Sequence, residues 1–214
     1  MTSPSTLTTP AEVAAQVVGV DVGTRHLRAA DALAATVFAL LAEQGGSTGA
    51  VVATHLTRLG DLPHVTLSVE APALGAARLA ELLAGALPDA AVCGGTAAGP
   101  APSRENRTCS AAAAAAGAQA HATRTGGRAV HYPGSARLVG TVTVADLLAC
   151  SAIAAVRVLG SAGPPAGDVV VRTRDHVRPA YEGGQLVLTA EWAAGPALVP
   201  FETPNPTPCC AEHA

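Results

Sequence analysis

The chain has 214 residues, enough for one large domain or two small ones. Hydrophobic residues make up 49% and aromatics only 2%, so a core must be built from Ala, Val and Leu, with elements packed closely. All 13 basic residues are Arg, scattered along a chain of net charge −3, which excludes the broad basic surface of a nucleic-acid binder.

The first 16 residues read as an extension with neither a positive n-region nor an apolar h-region, so no signal peptide is expected. No apolar run reaches the length of about 18 residues that suggests a membrane span. Five cysteines form no disulfide-like framework, and reduced thiols in the cytoplasm are the expectation.

In chain order, Val17 to Val22 reads as a short strand. Its continuation, Val18-Gly19-Val20-Asp21-Val22-Gly23-Thr24, resembles the first phosphate motif of sugar kinases and actin-like ATPases, without a second nucleotide motif to accompany it. Ala30 to Gly46 reads as an apolar helix with Asp31 near its start and glycine at its end. Strands follow over Gly49 to Arg58 and Val65 to Glu70, joined by the turn Gly60-Asp61-Leu62-Pro63. Residues 78–98 fit two readings. Period-2 stretches broken by Pro88-Asp89 suggest two strands, whereas Leu79, Leu82, Leu83 and Leu87 fit a helical stripe. Residues 97–127 hold almost no large apolar side chain and read as a flexible or partly helical linker.

Beyond the linker the pattern recurs. Arg137 to Val142 reads as a strand and Ala145 to Ser161 as an apolar helix, aligning without a gap on the first and placing Asp146 on Asp31. Gly167 to His176 and Leu186 to Glu191 then match the two earlier strands, which suggests duplication of one strand–helix–strand–strand unit. The expected organisation is an extension (1–16), a first half (17–96), a linker (97–127), a second half (128–204) and a Pro/Cys tail (205–214). Arg172, Arg174, His176 and Arg178 would share one strand face, where an anion site competes with an ordinary polar exterior.

A long apolar helix wrapped by an antiparallel sheet in this order resembles the hotdog fold of thioesterases and dehydratases, and Val169 to Trp192 looks like the strands that follow its central helix. The fold class expected is α+β, with two β-α-β-β hotdog-like halves forming a double hotdog; α/β is the alternative if residues 78–98 are helical. The resemblance implies a small-molecule acyl thioester, an acyl-CoA or acyl carrier, bound or processed as in a thioesterase or dehydratase. Its carbonyl would be polarised by unpaired N–H groups at a helix start. Asp31, Asp146 and His131 are the candidate catalytic groups, with His26 and Tyr132 nearby, although the Asp-plus-His signature of the hydratase branch is absent. Both Asp residues also fit simple helix capping or first-turn charge.

The tail offers a different chemistry. Cys209, Cys210 and His213 could hold a soft metal ion or act in redox handling; an inert tail is the competing reading. No cofactor is otherwise expected, and the partners expected are the acyl thioester and a second copy of the chain, with neither nucleic acid nor membrane. A third reading is an accessory or structural protein without chemistry.

Overall fold

The computed structural model describes residues 16–59, 62–94, 97–98 and 110–204. The chain divides into two compact units, Met1–Pro133 with Tyr181–Gly184, and Gly134–Ala180 with Gln185–Ala214.

The first unit runs β1 (Val17–Asp21), α1 (Leu27–Glu43), β2 (Val51–Leu59), β3 (Leu62–Glu70), α2 (Ala76–Ala86), β4 (Ala91–Gly94), β5 (Ala97–Ala98), α3 (Ala111–Ala122) and β6 (Arg128–His131). Tyr181 and Glu182 of β10 (Ala180–Glu182) complete it. The strand order is β5-β4-β1-β3-β2-β6-β10. Pairing of β1 with β3 and β4, and of β2 with β3 and β6, is antiparallel throughout. The stretch β1-α1-β2-β3-α2-β4, with strand order β4-β1-β3-β2, has the arrangement of a split β-α-β, or ferredoxin-like, plait.

Strand alternation gives this sheet two different faces. Val18, Val20, Val52, Val65, Leu67, Val69 and Val92 point to one face. There they meet Ala30, Ala34, Val37 and Leu41 of α1, spaced at helical period, and Leu79, Ala80 and Leu83 of α2. The opposite face is covered by α3, whose buried residues are Ala113, Ala114, Gly117, His121 and Ala122. A Cβ on Gly19 would lie 1.9 Å from the Ala114 carbonyl oxygen, so the bare backbone of β1 is what lets α3 lie this close.

The second unit contains β7 (Thr141–Thr143), α4 (Val144–Cys150), β8 (Ala155–Val158), β9 (Val170–Arg172), β11 (Gln185–Trp192) and β12 (Ala197–Pro200). Its strand order is β8-β11-β12-β9-β7. The β8/β11 and β9/β12 pairs are parallel, whereas β11/β12 and β7/β9 are antiparallel. Leu147, Ile153, Val156, Val171, Leu188 and Leu198 are among its buried side chains.

These findings overturn the expected pair of β-α-β-β hotdog halves. Twelve strands accompany only four α-helices among the described residues, and the matched helices differ in length and setting. α1 has 17 residues and packs on an antiparallel sheet. Its supposed counterpart ends after seven residues at Cys150, where Ser151 turns its hydroxyl back to the Leu147 carbonyl at 2.7 Å. Val156, Arg157 and Val158 then alternate buried, exposed, buried as strand β8, a placement that suits β-branched side chains. Gly134 passes so near this helix end that a Cβ would lie 2.0 Å from the Cys150 carbonyl oxygen. Residues 78–98 also resolve differently from a strand pair: Leu79 and Leu83 form the buried stripe of α2, and β4 and β5 follow. The α/β alternative fails as well, because the sheet that α1 and α2 cover is antiparallel. Within the segment read as a linker, residues 111–122 form α3.

Candidate active site

Polar residues line the α3-facing side of the sheet. On β3, Thr66 and Ser68 are fully buried and His64 and Glu70 nearly so, alternating with the apolar residues of the other face. On β2, His55 lies under α3: a Cβ on Gly117 would touch its ring at 3.4 Å, and one on Gly127 would crowd it at 2.5 Å. At one end of α3, the Asp21 carboxylate accepts hydrogen bonds from the Ser110 and Gly23 amides, each 2.8 Å long. His64 Nδ1 sits 2.8 Å from the same carboxylate without forming a hydrogen bond.

At the other end of α3 a relay runs through Ser68. Its hydroxyl lies 2.7 Å from His55 Nε2 and 2.7 Å from His121 Nδ1. His121 Nε2 faces Glu70 Oε2 at 3.4 Å and the Tyr181 hydroxyl at 3.5 Å. Arg124 donates to Glu70 Oε2 at 2.6 Å and to the Tyr181 hydroxyl, with its guanidinium 4.7 Å from the centre of the Tyr181 ring. Tyr181 is positioned by its amide, which donates to the Gly127 carbonyl at 3.0 Å.

The end of α3 aims Arg124. The Thr125 amide donates to the Ala120 carbonyl and the Arg124 amide to the His121 carbonyl, the paired bonds of a Schellman ending. That ending needs a left-handed residue, normally glycine, yet Arg124 occupies it at φ 54. Such a conformation costs a side-chain-bearing residue on the order of 1 kcal/mol or more. Its contacts to Glu70 and Tyr181 offset that strain.

Burial sets the protonation of the relay. Desolvation, helped by the proximity of His121, lowers the His55 pKa to about 4. Desolvation likewise lowers that of His121, against the pull of Glu70. Burial alone would raise Glu70, but the His121 hydrogen bond and the Arg124 charge outweigh it and hold the carboxyl below its usual value. Burial raises Tyr181 to about 12. At neutral pH the two imidazoles are therefore neutral and Glu70 is ionised. An ionised carboxylate only accepts, which assigns the His121 proton to Nε2 and leaves Nδ1 to accept from the Ser68 hydroxyl. The Ser68 oxygen in turn accepts from His55 Nε2.

The residues singled out in the sequence lie elsewhere. Asp31, on α1, accepts two bonds from Arg128 of β6, at 2.6 and 2.9 Å, and Arg128 also reaches Thr54 Oγ1. His131 stacks on Phe38 of α1, ring centres 4.4 Å apart and nearly parallel. Asp146 belongs to the second unit, at the start of α4. Its amide donates to Thr143 Oγ1, and the Thr143 hydroxyl donates to its carboxylate at 2.7 Å, a reciprocal cap. Cys209, Cys210 and His213 lie outside the described residues. Among the described residues, no group of three or more His, Cys, Asp or Glu side chains could hold a metal ion.

Sequence reading missed Ser68, Glu70, His55, His121, Arg124 and Tyr181. One signal was available: Thr66, Ser68 and Glu70 repeat at period 2 beside Val65, Leu67 and Val69. A solvated outer face explains that pattern equally well. Searches against protein-family models, curated proteins and solved structures return no match. No helix among the described residues is long and apolar enough to cross a membrane.

Proposed function

We propose that the first unit is an acyl-transfer centre that hydrolyses an activated acyl group, a thioester or an ester, through Ser68. One observation carries this reading: Ser68 Oγ is 2.7 Å from His121 Nδ1, while the opposite nitrogen of that imidazole faces Glu70 at 3.4 Å. Nucleophile, base and orienting carboxylate thus stand in the order acyl transfer requires. Ser68 Oγ bonds to the acyl carbon as its proton passes to His121, and Glu70 stabilises the resulting imidazolium. The departing thiolate or alkoxide takes that proton. Water, deprotonated by the same nitrogen, then releases the acid and restores the Ser68 hydroxyl. Asp31 and Asp146 have no part in this scheme, and the hotdog resemblance lends it no support.

A fluorophosphonate probe should label Ser68 of the purified chain, as located by peptide mass mapping. Ser68→Ala should abolish labelling and His121→Gln should slow it, together with any turnover of a nitrophenyl-ester and acyl-CoA panel, by ~10² or more. A folded protein that neither labels nor turns over any of these acyl groups would falsify the proposal. A second reading is favoured by the burial of Ser68 and His121, both 0% exposed: the relay is a polar clasp holding α3 in an accessory protein without chemistry. It expects no labelling and a marked loss of stability in Ser68→Ala.

A further inference from the structure

We infer that α3 is a lid: it leaves the sheet as a unit while the sheet, α1 and α2 stay folded, and its departure uncovers Ser68. The inference rests on the preceding reading for what the lid admits, an activated acyl group, but the lid itself stands on separate observations. α3 carries its own helix signals. Most of its residues are Ala, the Ser110 hydroxyl accepts from the Ala113 amide at its start, and the Schellman bonds close its end.

It lies close on β1, but small side chains make that contact. Apart from His121, α3 buries only alanines and a glycine, so no bulky side chain anchors it. Its hydrogen bonds to the rest of the unit are concentrated at its two ends: the Ser110 amide on Asp21, and His121 with Arg124 on Ser68, Glu70 and Tyr181. The surface beneath is also the wrong one for a permanent seal. Thr66 Oγ1 is buried with no hydrogen-bond partner among the described residues. On Gly117, directly above it, a Cβ would lie 2.7 Å from that oxygen. Water reaching this face would satisfy groups that the closed helix leaves unpaired, which lowers the cost of opening. Because His121 travels on α3, closure returns the base to Ser68, so entry and activation are successive steps.

Asp21→Ala tests the lid in the full-length chain, since it removes the acceptor that ties the Ser110 amide to β1, leaves the helix's own cap in place and touches no relay residue. Three rates are compared with the original chain: amide exchange of α3, iodoacetamide alkylation of Cys93, whose thiol donates to the Ala111 carbonyl at 3.3 Å, and fluorophosphonate labelling of Ser68. All three should rise together, on the order of ten-fold, the scale of losing a hydrogen bond to a charged acceptor, while β3 amides keep their protection. If α3 exchanges only in step with the sheet, or its exchange rises while Cys93 and Ser68 do not respond, the lid is refuted. If α3 and Cys93 respond but Ser68 labels in neither protein, the lid stands and the serine chemistry falls.

Discussion

The two faces of the first unit's sheet are buried by opposite means. α1 and α2 seal one face with Leu41, Leu79 and Leu83 against Val18, Val20, Leu67 and Val69. α3 covers the other with methyl groups, one glycine and one imidazole, above Thr66, Ser68, His55 and Glu70. The apolar face gains from every methylene removed from water, at about 0.8 kcal/mol each. The polar face must replace each lost water with a protein partner, and Thr66 Oγ1 among the described residues has none. Stability is therefore expected to reside on the first face, and adjustable opening on the second.

That contrast can be broken from either side. Leu67 is fully buried in the apolar core, so Leu67→Ala should lower global stability by about 2–5 kcal/mol, read as a shifted urea midpoint with the slope unchanged. Gly19→Ala acts on the other face. Its new methyl would stand 1.9 Å from the Ala114 carbonyl oxygen, so α3 has to lift. The expected loss is about 1–3 kcal/mol, concentrated in faster amide exchange across α3 while the core of α1 and α2 stays protected. Equal acceleration on both faces would mean that the sheet and its covering helices open as one body.

The apolar face was largely legible in the sequence, because alternation in Val65 to Glu70 and helical spacing in Ala30 to Leu41 are local patterns. The polar face was not. His121 and Arg124 stand in an alanine-rich stretch without apolar periodicity, and Tyr181 comes from 60 positions beyond His121. Nothing local announces that these three meet on β3. Asp31 and Asp146 stood out for a local reason, a carboxylate near a helix start, and each is held by a partner: Arg128 across the fold, and Thr143 next in the cap. The apparent duplication failed on the same ground. Alanine-rich runs look alike whether they continue as a helix, as in α1, or turn into a β-branched strand, as in β8.

Acid sharpens the comparison at smaller amplitude, because the relay titrates and the apolar core does not. His55 holds a pKa of about 4 in the folded chain, against about 6.5 for a free imidazole. Above pH 6.5 both states are neutral at this group and stability is level. Below it the unfolded chain takes up a proton that the folded chain refuses, so stability falls as the pH drops. The slope approaches about 1.4 kcal/mol per pH unit for this one group and ends near pH 4, where folded His55 protonates as well. His121, also lowered, acts in the same direction. Glu70, whose folded pKa is depressed, withdraws its contribution at still lower pH, as it protonates in the folded state. Urea midpoints between pH 8 and pH 5 should therefore decline from about pH 6.5 downward. His55→Gln, which cannot take up a proton, should flatten part of that decline, whereas Leu67→Ala should shift the whole curve without changing its shape. A decline identical in the original chain and His55→Gln would place the acid sensitivity outside His55 and leave its buried, neutral state without support.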